Sequence, residues 1–407
     1  MNILILSPEP PYPPVSGGRL RVFNVMKELA RNNNVFLITF VDKEEELKYR
    51  PELLDYCKDV ALLSRNHTVF TKINSRLQAL LNKKKTIMLS RFYSPVFQQK
   101  INEFMAKYDI DIVQLEHSYI DVYEIPVYTG RKPAKVLVQH NLEYKLIEQQ
   151  AGARWPGTSL RRKIEGYIDL DRFKEFEINA MKRAGLCVMM SNDDRNQLAE
   201  VVPEVLSKTI VVPNGVDVEY FQYYSGPRDE CTLVFSGFMG HFPNEDGILW
   251  FFHKVFPYIK KQYPRIKVFV VGRGPSKRIR NLENKYSQVT VTGFVDDVRE
   301  YLNRGTVFIC PLRMGSGTRL KILEAMSAGI PVVTTSIGCE GLQVEDGQHL
   351  LIADSEEGFA TKVNQLLEDG SFRTKLSKTA RSLVEDRYSW PSIVAEYEKE
   401  LQQLVKG

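Results

Sequence analysis

Short apolar, β-branched runs recur along the chain, separated by segments whose apolar positions fall three and four apart. NILILS (2–7), NVFLITF (34–40), DIVQLE (111–116), KVLVQH (135–140), LCVMMS (186–191) and TIVVP (209–213) read as buried strands. Amphipathic stretches such as 19–31 and 160–183 read as the helices between them. The series then restarts with TLVFSG (232–237), IKVFVVG (266–272), VTVTG (289–293), TVFIC (306–310), PVVTT (331–335) and HLLIA (349–353). Near-continuous apolar strands alternating with helices form parallel sheets covered on both faces. Two such series predict an α/β chain of two doubly wound, Rossmann-like domains. Apolar periodicity stops at FQYYSGPRDE (221–230), which places the domains at 1–225 and 226–388, with a closing helix at 389–407 returning to the first.

Length supports this division, because 407 residues exceed one ordinary core. Five cysteines, an odd number without any CxxC pair, support neither a disulfide framework nor a zinc site and fit a reducing compartment. The opening MNILILSPEPPYPP has four apolar residues before its prolines, too short for a signal peptide, and no apolar run reaches membrane-spanning length. The expectation is a cytoplasmic protein. A net charge of +5 does not argue for nucleic acid, but its distribution is uneven. Between Asp59 and Glu103 there is no acidic residue, while Arg65, Lys72, Arg76, Lys83, Lys84, Lys85, Arg91 and Lys100 fall inside. Such a block is either a solvated face or a surface for an anionic partner, including the inner face of an anionic membrane.

Open α/β sheets bind ligands beyond the carboxyl ends of their strands. Glycines stand at these turns: Gly17 and Gly18, Gly237, Gly272 and Gly274, Gly293, Gly315 and Gly317. RMGSGTRLKILEAMSAG (313–329) is the most informative of these stretches. Thr318 reads as an N-cap, which sets Arg319, Leu320 and Lys321 at the first three helical positions. A helix N-terminus is already positive, so two cations there repel unless they bend into solvent or an anion is bound. A phosphate or diphosphate satisfies cations and free amides together. Glu324 follows among Ile322, Leu323, Ala325 and Met326, and needs either Lys321 or a vicinal pair of sugar hydroxyls as partner. A ligand with a diphosphate beside a ribose is a nucleotide sugar or a dinucleotide.

PLRMGSGTRLKILEAMSAGIPVVTT followed by GCEGL resembles the donor-site signature of retaining glycosyltransferases of family four, and within them the bacterial exopolysaccharide-type sugar transferases. PPVSGGRLRVFNVMKEL, VVPNGVD, FVVGRGP, VTGFVDDVREYL and YSWPSIVAEYEKEL resemble further landmarks in the same order. The resemblance implies a GT-B fold, with the two domains facing across a cleft. It also implies a retaining, metal-independent, hexosyltransferase-type enzyme that needs no cofactor. Its donor would be a UDP-, GDP- or similar nucleotide sugar, its acceptor a sugar or lipid-linked sugar, and its role polysaccharide or glycoconjugate synthesis. Glu324 would then bind the ribose hydroxyls. Arg319 and Lys321 would hold the diphosphate, assisted by Arg313, with Gly17 and Gly18 closing over it from the other domain. Gly237 and the Gly315, Ser316, Gly317 and Thr318 turn would line the donor site, and the backbone of Phe294 and Val295 would meet the base. His140 matches a histidine near the reacting sugar. Two departures stand out. Ser316 occupies the place of the family's first glutamate, and SGFMGHFPNEDG (236–247) lacks the family's arginine and lysine, leaving only His241 there.

Several other signals carry less. Asp109 and Asp111 match a metal-binding DxD of another fold, but they open a strand instead of following one. His117 ends a strand and reads equally as a structural or a cleft-lining residue, while Arg273 reads as solvated. Two further functions fit the same scaffold: a non-hydrolysing sugar-nucleotide epimerase, and a non-catalytic anion- or lipid-binding protein.

Overall fold

The computed structural model describes residues 1–65, 86, 89–128, 130–151, 160–315 and 318–406. These form two compact units, one of Met1–Pro213 with Val394–Gly407 and one of Asn214–Ile393. In the first, β1 (Asn2–Ser7), β2 (Asn34–Val41), β3 (Asp59–Ser64), β4 (Ile112–Glu116), β5 (Ala134–Val138), β6 (Leu186–Met189) and β7 (Thr209–Val211) form a parallel sheet of order β3-β2-β1-β4-β5-β6-β7. Its helices are α1 (Gly17–Leu29), α2 (Arg50–Leu54), α3 (Pro95–Lys107), α4 (Glu143–Ala151), α5 (Leu160–Arg183) and α6 (Asn192–Val201). In the second unit, β8 (Thr232–Ser236), β9 (Lys267–Val271), β10 (Val289–Gly293), β11 (Val307–Cys310), β12 (Val332–Thr334) and β13 (Leu351–Ile352) run parallel in the order β10-β9-β8-β11-β12-β13. Its helices are α7 (Phe242–Trp250), α8 (Phe256–Gln262), α9 (Lys277–Lys285), α10 (Arg299–Arg304), α11 (Leu320–Ser327), α12 (Glu356–Glu368), α13 (Gly370–Arg387) and the start of α14 (Trp390–Lys406).

The apolar runs become central strands because they have two faces to bury. In β8 and β9, Leu233, Phe235, Val268 and Val270 enter one core, while Val234, Phe269 and Val271 enter the other. Each such side chain contributes about 1.5–3 kcal/mol on full burial. Serine starts four of the helices: Ser16, Ser191, Ser276 and Ser355 accept from backbone amides three residues on, at α1, α6, α9 and α12.

Three details differ from the sequence reading. Asp59–Ser64 is an edge strand that the apolar pattern did not single out, since only Val60 and Ala61 in it are buried. The units divide between Pro213 and Asn214, ahead of residue 225, because the intervening segment packs on the second unit. Phe221 and Val216 lie in its core, and Ser327 Oγ donates to the Phe221 carbonyl at 2.6 Å. Lastly, α11 begins at Leu320 with Arg319, in extended backbone, as its N-cap; Thr318 does not cap it. Of the basic run between Asp59 and Glu103, Lys72, Arg76, Lys83, Lys84 and Lys85 lie outside the described residues. Among the described residues no helix is long and apolar enough to cross a membrane.

Candidate functional site

Strand order reverses between β8 and β11, and at this switch point the chains leaving the two strands diverge. β8 exits through Gly237 into α7, and β11 exits through Leu312 and Arg313 into α11. The second exit is held from below. Thr334 Oγ1 donates to the Cys310 carbonyl at 3.0 Å, and Thr335 Oγ1 donates to the Leu312 carbonyl.

Lys321 leans from α11 across the switch point. Its ammonium donates to Asn244 Oδ1 at 2.7 Å and lies 4.2 Å from the centre of the Phe235 ring. A side chain at Gly237 would put its first carbon 2.6 Å from Lys321 Nζ, so only glycine leaves the ammonium this position. Gly237→Ala is therefore expected to displace Lys321 and to lower its affinity for a diphosphate about tenfold, the equivalent of one charge-assisted hydrogen bond. Titration calorimetry reads this directly; wild-type affinity in the variant would show that Lys321 does not need the space.

Positive charge accumulates around Lys321. Burial, reinforced by Arg319, pushes its ammonium down to about 8. Burial also lowers Arg319, which lies 4.0 Å from Glu340. His241, at the N-terminus of α7, is lowered by burial and then by Lys321 and Arg319. Glu324, one turn along α11, is lifted to about 7 by burial, with Lys321 opposing. Cations, a helix N-terminus and a carboxyl with a raised pKa thus meet at one strand edge, the arrangement expected of a functional site. Thr318 Oγ1 is buried beside them and has no hydrogen-bond partner among the described residues.

The other sequence-predicted residues distribute as follows. Gly315 has φ 116°, and a side chain there would meet Arg319 Nη2 at 3.0 Å. Ser316 and Gly317 lie outside the described residues. Arg313 is turned to Asp246, which accepts from it at 2.7 and 3.0 Å. Val295 packs against the core, whereas the Phe294 ring is 71% exposed beyond β10. Arg273 lies over the Phe238 ring, 5.1 Å from its centre. Sequence reasoning missed Asn244 and Glu340, and gave His241 no more than a passing place. All three act through partners remote in sequence.

Gly17, Gly18 and His140 lie in the first unit, the glycines after β1 at its own switch point with β4 and His140 after the neighbouring β5. α1 begins at Gly17, and a side chain at Gly18 would put its first carbon 3.3 Å from Glu9 Oε1 and 3.7 Å from His140 Nδ1. Arg19 is held by Glu9 at 3.1 Å and Glu46 at 2.8 Å. His140 Nε2 lies 2.7 Å from Glu116 Oε2, and its ring stacks on His117 at 4.1 Å. His117 has φ 71° and ψ 149°, a backbone region nearly reserved for glycine. Such strain costs about 1–3 kcal/mol and gathers at functional sites. His117 Nδ1 lies 3.0 Å from Glu143 Oε1, and burial is outweighed by Glu143 so that its pKa is raised. Glu177, fully buried, accepts from Glu143 N at 3.1 Å, Tyr144 N at 3.0 Å, Ser118 Oγ at 2.9 Å and Gln139 Nε2 at 2.8 Å. It thereby fixes the exits of β4 and β5 and the start of α4.

Residues 230–369 match the protein family described as glycosyl transferases group 1. The chain is 24% identical to an uncharacterized 44.6 kDa protein in the cps region of Klebsiella pneumoniae, over 98% of this chain and 99% of that protein. It is also 24% identical to the UDP-Gal:alpha-D-GlcNAc-diphosphoundecaprenol alpha-1,3-galactosyltransferase of Escherichia coli, over 48% of this chain and 51% of that one. Among solved structures, the sucrose-phosphate synthase of Thermosynechococcus elongatus superposes with a TM-score of 0.70 at 17% identity, covering 100% of this chain and 99% of the other.

Proposed function

Residues 230–369 being a group 1 glycosyltransferase domain in a chain of GT-B fold, we propose that the protein is a retaining, metal-independent hexosyltransferase. It moves a sugar from a nucleoside-diphosphate sugar to an acceptor hydroxyl. The observation that carries the reading is the convergence of Lys321 and Arg319 on the N-terminus of α11, with Glu324 one turn along. Glu324 accepts the two ribose hydroxyls, while Arg319, Lys321 and the helix amides receive the diphosphate. The exposed ring of Phe294 and the backbone of Val295 border the base.

Charge flow sets the chemistry. Cleavage of the bond between the anomeric carbon and the diphosphate sends its electron pair to the phosphate oxygen and leaves positive character on the sugar. Preorganised cations stabilise that leaving group, the role a divalent metal fills elsewhere. The acceptor oxygen bonds to the anomeric carbon on the departing face, and its proton passes to the leaving phosphate, so configuration is kept. His140 acts near the reacting sugar, as the family resemblance implies. The acceptor is a sugar or lipid-linked sugar for polysaccharide or glycoconjugate synthesis. Similarity to a protein of the cps region and to an alpha-D-GlcNAc-diphosphoundecaprenol alpha-1,3-galactosyltransferase supports this. The basic run between Asp59 and Glu103 suits an encounter at the cytoplasmic face of an anionic membrane. The family match favours transfer over the epimerase and non-catalytic readings.

A thermal-shift screen of nucleoside-diphosphate sugars tests the assignment. Stabilisation by one of them, followed by release of its nucleoside diphosphate on addition of acceptor, is expected; no stabilisation by any would reject it. The two titrating groups add a pH signature. Lys321 carries its charge below about 8 and Glu324 is ionised above about 7. Affinity for a nucleoside diphosphate should therefore peak between about pH 7 and 8. It falls on the acid side as the ribose acceptor protonates, and on the alkaline side as the ammonium deprotonates. A flat profile from pH 6 to 9 would contradict these roles.

A further inference from the structure

A buried polar chain crosses the first unit beside His140. Tyr397, on the part of α14 that belongs to this unit, donates its hydroxyl to Gln114 Oε1 at 2.8 Å. Gln114 Nε2 donates to Glu116 Oε1 at 2.6 Å, and Glu116 Oε2 lies 2.7 Å from His140 Nε2. Tyr397, Gln114 and Glu116 are almost wholly buried, and Arg21 is buried beside them, donating to the carbonyls of Val212 at 2.8 Å and Pro213 at 2.9 Å. Polar groups in a core persist only when satisfied, and each member of this chain has the partner its chemistry requires.

The direction of the chain is determined. The Glu116 carboxylate fixes which end of the Gln114 amide faces it, because an ionised carboxyl only accepts and so takes the NH₂, which leaves the amide oxygen to accept from the Tyr397 hydroxyl. Against the burial that would raise it, His140, Gln114 and Arg21 hold the Glu116 carboxyl below the usual carboxylate range. An ionised carboxylate only accepts, so His140 must carry its proton on Nε2. Burial and then His117 push His140 down to about 4, while Glu116 opposes them and Arg21 assists. The ring is thus neutral, and its Nδ1 is bare. That nitrogen is the one turned toward Gly18.

We infer that Tyr397, Gln114 and Glu116 are positioning residues. They lock His140 in the tautomer whose Nδ1 lone pair faces the glycine turn, ready to accept a hydrogen bond from a sugar hydroxyl. The catalytic consequence rests on the proposed transfer reaction; the tautomer itself does not. The lock explains why an amide and a carboxylate share one face of an otherwise apolar strand, and why a tyrosine of the closing helix is buried against them.

The test uses the full-length protein labelled with ¹⁵N at histidine, first without substrate. In wild type, His140 is expected to show a protonated Nε2 and a bare, pyridine-type Nδ1, unchanged from pH 5.5 to 9. Glu116→Gln offers His140 an amide that can donate to Nε2, and the Nδ1-protonated form should appear. Tyr397→Phe keeps the ring and the packing but releases the Gln114 amide, one of the groups that keep Glu116 ionised, so toward pH 5.5 Glu116 should begin to protonate and donate to Nε2, giving a mixture of tautomers. With donor and acceptor, each variant should lose about ten- to hundredfold in kcat with the KM for donor unchanged, by analogy with residues that orient metal-bound histidines. A protonated Nδ1 in wild type, or the wild-type tautomer in both variants, would overturn the inference. Failure to find glycosyl transfer would instead reject the proposed function and leave the tautomer result standing.

Discussion

Replacing Arg319 and Lys321 together by methionine is expected to lower turnover by about 10³-fold or more, since removing one preorganised donor to a developing charge already costs about 10²–10³. Both side chains stand at the N-terminus of α11, where burial keeps water from screening them. Their proposed partner is the diphosphate, whose charge grows as the glycosidic bond breaks, so the transition state should lose more than the ground state. Binding of the bare nucleoside should change less than twofold in the same variant. A second arm uses wild type: chelation by EDTA is expected to leave its rate unaltered. Full inhibition by EDTA, reversed by a divalent ion, would assign charge neutralisation to a metal and not to these cations.

Glu324→Gln is expected to weaken donor affinity tenfold or more. Hydrogen bonds to a charged acceptor contribute about 1.5–3 kcal/mol, and an amide can accept from only one side while its NH₂ opposes the second hydroxyl. The substitution also removes the carboxyl that burial lifts to about 7, so the acid limb of the pH profile should vanish with it. Lys321, no longer drawn by Glu324, keeps its contact with Asn244, which confines the loss to the ribose. Direct titration of the nucleotide sugar reads both effects. Unchanged affinity with an intact acid limb would place the ribose elsewhere.

Much of the scaffold was legible because parallel strands buried on both faces leave a nearly continuous apolar signature; β1, β2, β8 and β9 could be read almost to the residue. β3 was missed because it is an edge strand with two buried residues, too short a signal against its polar flanks. The start of α11 was misplaced by one residue: threonine is a good cap in general, but here its hydroxyl is buried and makes no cap hydrogen bond, and Arg319 takes the N-cap position. At the site, Arg319, Lys321 and Glu324 stood out as charges that a helix start or an apolar stretch does not accommodate unaided. The departure after β8 also resolves in three dimensions. Where the resemblance calls for basic residues after that strand, the Lys321 ammonium reaches the same turn from α11, beside Gly237 and Asn244. Asn244 and Glu340 could not be read in advance, since nothing local marks a partner brought in from another element. Gln114 and Glu116 did leave a signal. Two polar residues at i and i+2 in the run IVQLE share one face of a buried strand, and such a pair demands partners.

The central claim is that the cations at the start of α11 recognise the diphosphate of a sugar nucleotide. The measurement that tests it most directly is a four-way titration. A nucleoside and its diphosphate, with the base chosen by the thermal-shift screen, are each bound to wild type and to the Arg319→Met, Lys321→Met double variant. Wild type should prefer the diphosphate by about a hundredfold or more, as two charge-assisted contacts imply, and the double variant should bind the two ligands within about threefold of each other. If the double variant keeps the wild-type preference, the diphosphate is held by other groups and the assignment of this site is wrong.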